Sequence, residues 1–181
     1  ASVAGVWKSL TEGLVRLIIF IGYIAFCSSI KDVKRTFMYH GAEHKTIACY
    51  EAEEELTPEN AAKHSRLHPR CGTNYLFLVM AVSILFFAAI GWNASFAVRL
   101  AMRIAFLPVV AGLSYEVLRL AARYDNWFTR IIRAPGMALQ RITTKEPTAD
   151  MLEVAIAAFN LAMDPNNKVE NGAEEPAQSA E

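Results

Sequence analysis

Residues 75–92 read YLFLVMAVSILFFAAIGW, eighteen consecutive positions without a charged side chain. A run of that length approaches the roughly 20 residues an α-helix needs to cross the hydrocarbon of a bilayer. The competing reading is a buried helix in a soluble core, and the complete absence of charge disfavours it. Two further runs flank this one. The first extends from about Leu10 to Ile30, with Leu14 to Cys27 as its apolar centre, and carries Arg16 one turn after Glu12, where the two can pair. The last extends from about Phe96 to Leu120. Only Asn93, Ala94 and Ser95 separate it from the central run, so the two form a tight helical hairpin. The expected fold class is all-α: a polytopic membrane protein with three transmembrane helices (about 10–30, 75–92 and 96–120) plus cytoplasmic and interfacial helices. One helical membrane domain then covers residues 1–163.

The composition fits this picture. Hydrophobic residues make up 54% of the 181 positions and mean hydropathy is +0.22, above an ordinary soluble domain. Formal net charge is zero, so nothing points to a nucleic-acid partner; the expected surroundings are a lipid bilayer. Cys27, Cys49 and Cys71 are odd in number and widely spaced, which is not a disulfide framework. Ala1 in place of Met fits a processed chain or an excised part of a longer one.

Charge sets the orientation. The turn at 93–95 has no Lys or Arg, whereas 31–74 carries Lys31, Lys34, Arg35, Lys45, Lys63, Arg66 and Arg70. The stretch after the last run carries Arg123, Arg130, Arg133, Arg141 and Lys145. The positive-inside rule puts both basic stretches, and with them the C-terminus, in the cytoplasm. Arg99 and Arg103, at i and i+4, either snorkel to outer headgroups or line a pore. Glu116 either sits at functional depth or pairs with nearby Arg119. Interfacial and docking helices are expected over 124–163. The first mixes aromatics with arginines and breaks at Pro135-Gly136; the second, Met151 to Met163, docks on the cytoplasmic segment or on a neighbouring subunit. Residues 164–181, rich in Pro, Asn, Ala and Glu, read as a disordered tail.

All four histidines lie between Asp32 and Asn74, in two pairs of equal spacing: His40 with His44, and His64 with His68. On a helix, i and i+4 project from one face, so each pair can chelate one ion. His40, His44, Ile47 and Glu51 form one stripe, with Glu43 on its edge. Thr57 reads as an N-cap and Pro58 as the first residue of a short helix. That helix should run through His64 and stop near His68, because Pro69 disfavours helix before it. Cys71 follows on the next turn. The candidate ligands are therefore His40, His44, His64, His68 and Cys71, with Glu51 and Glu116 as further acids. The ion is a divalent metal, zinc before others. His40-Gly41-Ala42-Glu43-His44 also matches H-x-x-E-H, in which Glu43 would be a general base. Soluble proteases using that pattern rest on a sheet-containing architecture that these runs do not provide.

At these residues the chain resembles the YqhQ-like bacterial membrane proteins, a family of unknown function labelled as metal-dependent enzymes. The resemblance rests on Glu12-Gly13 with Arg16-Leu17, on Tyr39-His40-Gly41-Ala42-Glu43-His44-Lys45-Thr46, and on His68-Pro69-Arg70-Cys71-Gly72-Thr73. Gly112-Leu113-Ser114-Tyr115-Glu116, Ala134-Pro135-Gly136, Gln140-Arg141 and Glu153-Val154-Ala155-Ile156 extend it. It implies a bacterial cytoplasmic (inner) membrane location and a metal site, and the family's usual N-terminal region is missing here, which fits a fragment or a truncated form. It supplies no reaction.

Two functions follow from the residues. One is a membrane-embedded metal-dependent hydrolase, with Glu43 as base and an exchangeable ligand position. The other is a non-enzymatic module, an oligomeric channel or a docking protein for a cytoplasmic partner, in which a structural metal clamps the cytoplasmic helices. Homo-oligomerisation is compatible with either.

Overall fold

A computed structural model describes residues 3–90 and 95–164. Within them the chain forms seven α-helices and no strand: α1 Val3–Cys27, α2 Lys31–Glu51, α3 Pro58–Lys63, α4 Gly72–Ile90, α5 Phe96–Arg123, α6 Trp127–Thr143 and α7 Ala149–Met163. The connection expected at 93–95, apart from Ser95, and the tail from 165 on lie outside the described residues. Ser95 caps α5, its hydroxyl accepting the Val98 amide.

Among the described residues, two helices are long and apolar enough to cross a membrane: α1 over Leu10–Cys27, and α5. The central run, read as the second of three spans, forms a shorter apolar helix over Gly72–Ala88. Both long helices carry their apolar side chains outward. Ile19 and Phe26 on α1 and Ile104 on α5 are each about two-thirds exposed, whereas a core helix of a soluble protein would bury such residues. Glu12 and Arg16 do pair, at 3.8 Å.

The helices pack in two groups. α4 lies against α1, α5 and α6, while α2, α3 and α7 pack on one another. The second group encloses a small core of Ala42, Cys49 and Ala61 with Met151, Leu152 and Ile156, so α7 docks on the histidine-bearing segment of its own chain. Gly41 makes the join to the 144–148 linker: a Cβ there would collide with the Lys145 carbonyl oxygen, and the Lys145 amide donates to Phe37 O at 2.8 Å.

Two local expectations are corrected. α6 does not break at Pro135-Gly136 but continues through both. Proline in a helix interior forfeits one backbone bond. Here the same helix is anchored by a capping box at Asn126 and buries Gly136, Leu139, Gln140 and Thr143 along one face. That packing outweighs one lost bond. α3 begins as read, with Thr57 accepting the Asn60 amide at 3.2 Å, but it ends at Lys63, before His64. The carbonyls of Ala62 and His64, which a longer helix would need as acceptors, are taken by the Lys45 ammonium at 2.9 and 2.8 Å. Lys45 is itself buried and paired with Glu146 at 3.1 Å, so the competing partner is held in place.

Candidate metal centre

One continuous helix carries the first histidine pair. His40 and His44 lie one turn apart on α2, with ring centroids 4.4 Å apart. His40 Nδ1 is 2.9 Å from Thr143 O, and His44 Nδ1 is 2.7 Å from Arg66 O. A carbonyl oxygen can only accept, so each Nδ1 carries the proton. Each Nε2 is then left as a bare lone pair, provided the ring is neutral. Metal-binding histidines are oriented in this way, the N–H to a backbone carbonyl and the other nitrogen to the ion.

Both lone pairs face Cys71, whose Sγ lies 3.2 Å from His40 Nε2. Donor atoms of His40, His44 and Cys71 all fall within 4.8 Å of one another. Zinc bonds of ~2.0–2.3 Å set ligand atoms ~3.3–3.8 Å apart in a tetrahedron, so small side-chain adjustments complete the geometry. Cys71 immediately precedes α4, and its sulfur accepts the Thr73 amide at 3.3 Å. Burial opposes the thiolate, but hydrogen bonding with His40, His44 and Thr73 outweighs it and holds Cys71 down at about 5. Reciprocally, the bond to Cys71 raises His40 above its ordinary value against the opposing effect of burial. Without a metal, the two opposite shifts favour a thiolate beside an imidazolium. A cation can replace that proton.

The second pair divides. His68 stands beside the first site, its ring 5.7 Å from that of His44, but in the opposite tautomer. Its Nδ1 accepts the Arg70 amide at 3.3 Å and its Nε2 lies 3.4 Å from Glu51 Oε2, so no lone pair is turned to the cluster. Glu51 also pairs with Arg70 at 3.3 Å. His64 joins a different group, with Cys49 and Glu54, whose donor atoms also lie within 4.8 Å of one another. Glu54 reaches it through a helix-ending turn, in which the Glu54 amide donates to Cys49 O and the Glu53 amide to Tyr50 O. Glu53 takes the left-handed conformation there, with φ at 57°, at a cost of roughly 1–2 kcal/mol for a residue with a Cβ. The two cysteines contrast. Burial and the Glu54 charge push the Cys49 thiol up, away from the ionised form a metal needs.

Glu43 lies on the exposed face of α2 and acts on His40 only through its charge. Glu116 is exposed on α5 and paired with Arg119 at 3.5 Å. The structure brings neither of these two acids into a metal-capable group. Sequence reasoning missed the supports: Thr143 and Arg66 act through backbone carbonyls, and the buried Gln140 side chain bonds both the amide and carbonyl of His68. No pattern of side-chain types announces a carbonyl as a partner.

The chain matches, over residues 2–165, the model of a family described as "Protein of unknown function (DUF1385)". It belongs to this family. "Uncharacterized protein YqhQ" of Bacillus subtilis (strain 168) is 41% identical over 150 residues, which cover 82% of this chain and 47% of that protein. The chain thus spans about half the length of that relative. No solved structure matches it. In this family member, His40, His44 and Cys71, three of the residues that carry the resemblance, converge.

Proposed function

We propose that the protein is an integral membrane, zinc-dependent hydrolase whose metal is held by His40, His44 and Cys71 on the cytoplasmic side of a bacterial inner membrane. The observation that carries this reading is the pair of Nδ1–H···O=C bonds, which fixes both imidazoles with Nε2 towards one thiolate. Three protein ligands leave a fourth position open, as in catalytic rather than structural zinc sites. A divalent ion there supplies a Lewis acid and a nucleophile at neutral pH.

The chain's own residues divide the remaining work. His68, its ring beside that of His44 and its Nε2 beside Glu51, is placed to carry a proton. Glu51 orients that ring and is in turn held by Arg70. Glu43, outside the cluster, contributes charge. The exposed apolar faces of α1 and α5 support membrane insertion, and α4 would cross with them as the third, shorter span.

A non-enzymatic reading rests on one feature of the same site. Its ligands tie α2 to the turn before α4, as a structural clamp would. Metal analysis with X-ray absorption separates the two. Two nitrogens, one sulfur and one exchangeable oxygen support the hydrolase. A fourth protein ligand supports the clamp, and a metal-free wild type overturns both.

A further inference from the structure

Beside the proposed metal centre, between the 64–71 turn and the C-terminal end of α5, lies a cleft of about 520 Å³. Arg70 lines one wall; Tyr115, Leu118, Arg119, Ala122 and Arg123 line the other. The α5 residues follow i, i+3, i+4, i+7 and i+8, one stripe of a single helix. The volume falls within the ~300–1,000 Å³ range of small-molecule sites.

The lining has two characters. Three arginines, Arg70, Arg119 and Arg123, line it near the end where α5 finishes, and Tyr115, Leu118 and Ala122 add apolar lining on a helix long and apolar enough to span a membrane. Arginine's fork matches phosphate oxygens in pairs, and basic pockets at the cytoplasmic ends of membrane helices suit anionic lipid headgroups. Two of the three have exchangeable partners. Arg70 is paired with Glu51 and Arg119 with Glu116, at 3.3 and 3.5 Å, with all four side chains substantially exposed. Exposed pairs of this kind hold weakly. Arg123 stacks over Tyr124 at 5.8 Å.

The cleft is also linked to the metal centre. Arg70 is the residue before Cys71, and it shares Glu51 with His68. A ligand drawing Arg70 away from Glu51 would change the partner of the histidine beside the metal.

We propose that this cleft binds the phosphate headgroup of a membrane lipid, its acyl chains lying along α5, and that such a phospholipid is the substrate class of the metal centre. The binding half stands on the cleft's own geometry; the substrate half rests on the hydrolase reading.

The experiment uses detergent-purified protein with its metal content measured in the same samples. The probes are short-chain phosphatidic acid, phosphatidylcholine of the same chain length, and inorganic phosphate. Wild type should bind phosphatidic acid best, with inorganic phosphate at least tenfold weaker. Arg119→Gln with Arg123→Gln should weaken phosphatidic acid by roughly tenfold or more, as expected for lost charge-assisted bonds. Arg141→Gln, outside the cleft, should not change it, and metal content should be equal in all three proteins. Equal affinity for inorganic phosphate would show a free-anion site and overturn the lipid assignment. Unchanged binding in the double variant would overturn the cleft itself. Lipid binding by a metal-free wild type would leave the cleft standing and overturn only the substrate half.

Discussion

Gln140 and His68 stand 72 residues apart and hold each other by two hydrogen bonds. The Gln140 carboxamide oxygen accepts the His68 amide at 2.9 Å, and its nitrogen donates to the His68 carbonyl at 2.8 Å. Gln140 is fully buried, so α6 grips the turn carrying His68 and Cys71 with a side chain that water does not reach. Gln140→Leu fills the space but leaves buried backbone groups without those partners, at a cost of about 1–3 kcal/mol. Metal affinity should fall by about 10–100-fold, since supports of ligand-bearing turns act on that scale. Thermal unfolding and metal titration of the same preparation check both; unchanged metal affinity would show that the turn holds itself.

The ligand set can be partitioned by substitution. His40→Ala and Cys71→Ser each remove a donor and should lower zinc affinity by at least ~100-fold, more than loss of an outer support. Glu43→Gln and His64→Ala should retain the wild-type metal content, because neither residue belongs to the His40 group. Loss of metal in His64→Ala would move the centre to the Cys49 group.

Much of this arrangement was legible in the sequence, and the residues show where legibility ended. The α2 stripe was readable because i, i+4 spacing on an uninterrupted helix fixes which side chains share a face. Cys71 was readable as a donor from its closeness in sequence to His68, although its partners turned out to be the other pair. The end of α3 was misread because the helix expected to carry His64 loses its acceptors to Lys45, a tertiary competitor that local spacing cannot reveal. Pro135 was misread for the complementary reason: a local helix breaker was outweighed by a buried face on α6. Helix types followed from local pattern, while convergence depended on backbone partners 103 and 22 residues away.

Cys71 sets the pH behaviour of the metal-free protein. Its value in the fold is about 5, below the ordinary 9.0, so it favours folding most above the unfolded value and loses that contribution as pH falls through about 5. His40 is shifted upward and acts oppositely, stabilising below its ordinary value and losing that contribution as pH rises through its value in the fold. The two together favour the thiolate–imidazolium state between those limits. Ultraviolet thiolate absorbance of metal-free wild type, less that of Cys71→Ser, should titrate near pH 5. A difference signal titrating only in the ordinary cysteine range would refute the ion pair.

Gly41 tests how closely α2 must approach the 144–148 linker. Gly41→Ala would drive a methyl group into the Lys145 carbonyl, which is backbone and cannot rotate aside. The expected cost is about 1–3 kcal/mol, typical of overpacking. Because Thr143 O, at the end of α6 immediately before that linker, holds His40, metal affinity should fall along with stability. Gly22→Ala on α1, where nothing lies near the added carbon, should leave both unchanged; equal effects at the two glycines would remove this explanation.

Membrane insertion can be separated from ordinary surface exposure by two valines of nearly equal accessibility. Val109, near the middle of α5, is 51% exposed, and Val154 on α7 is 54% exposed. In water, lysine at either position should change stability by no more than about 0.5 kcal/mol, because neither site is enclosed. In a bilayer the two differ. Val109→Lys would place a charge near the centre of a span and should disfavour insertion by roughly 2.5–3.5 kcal/mol, while Val154→Lys on the docking helix remains in water. The expected result is a several-fold or greater loss of Val109→Lys from the carbonate-resistant membrane fraction, with Val154→Lys at the wild-type level. Equal recovery of both variants would mean that the outward face of α5 is covered by protein rather than lipid.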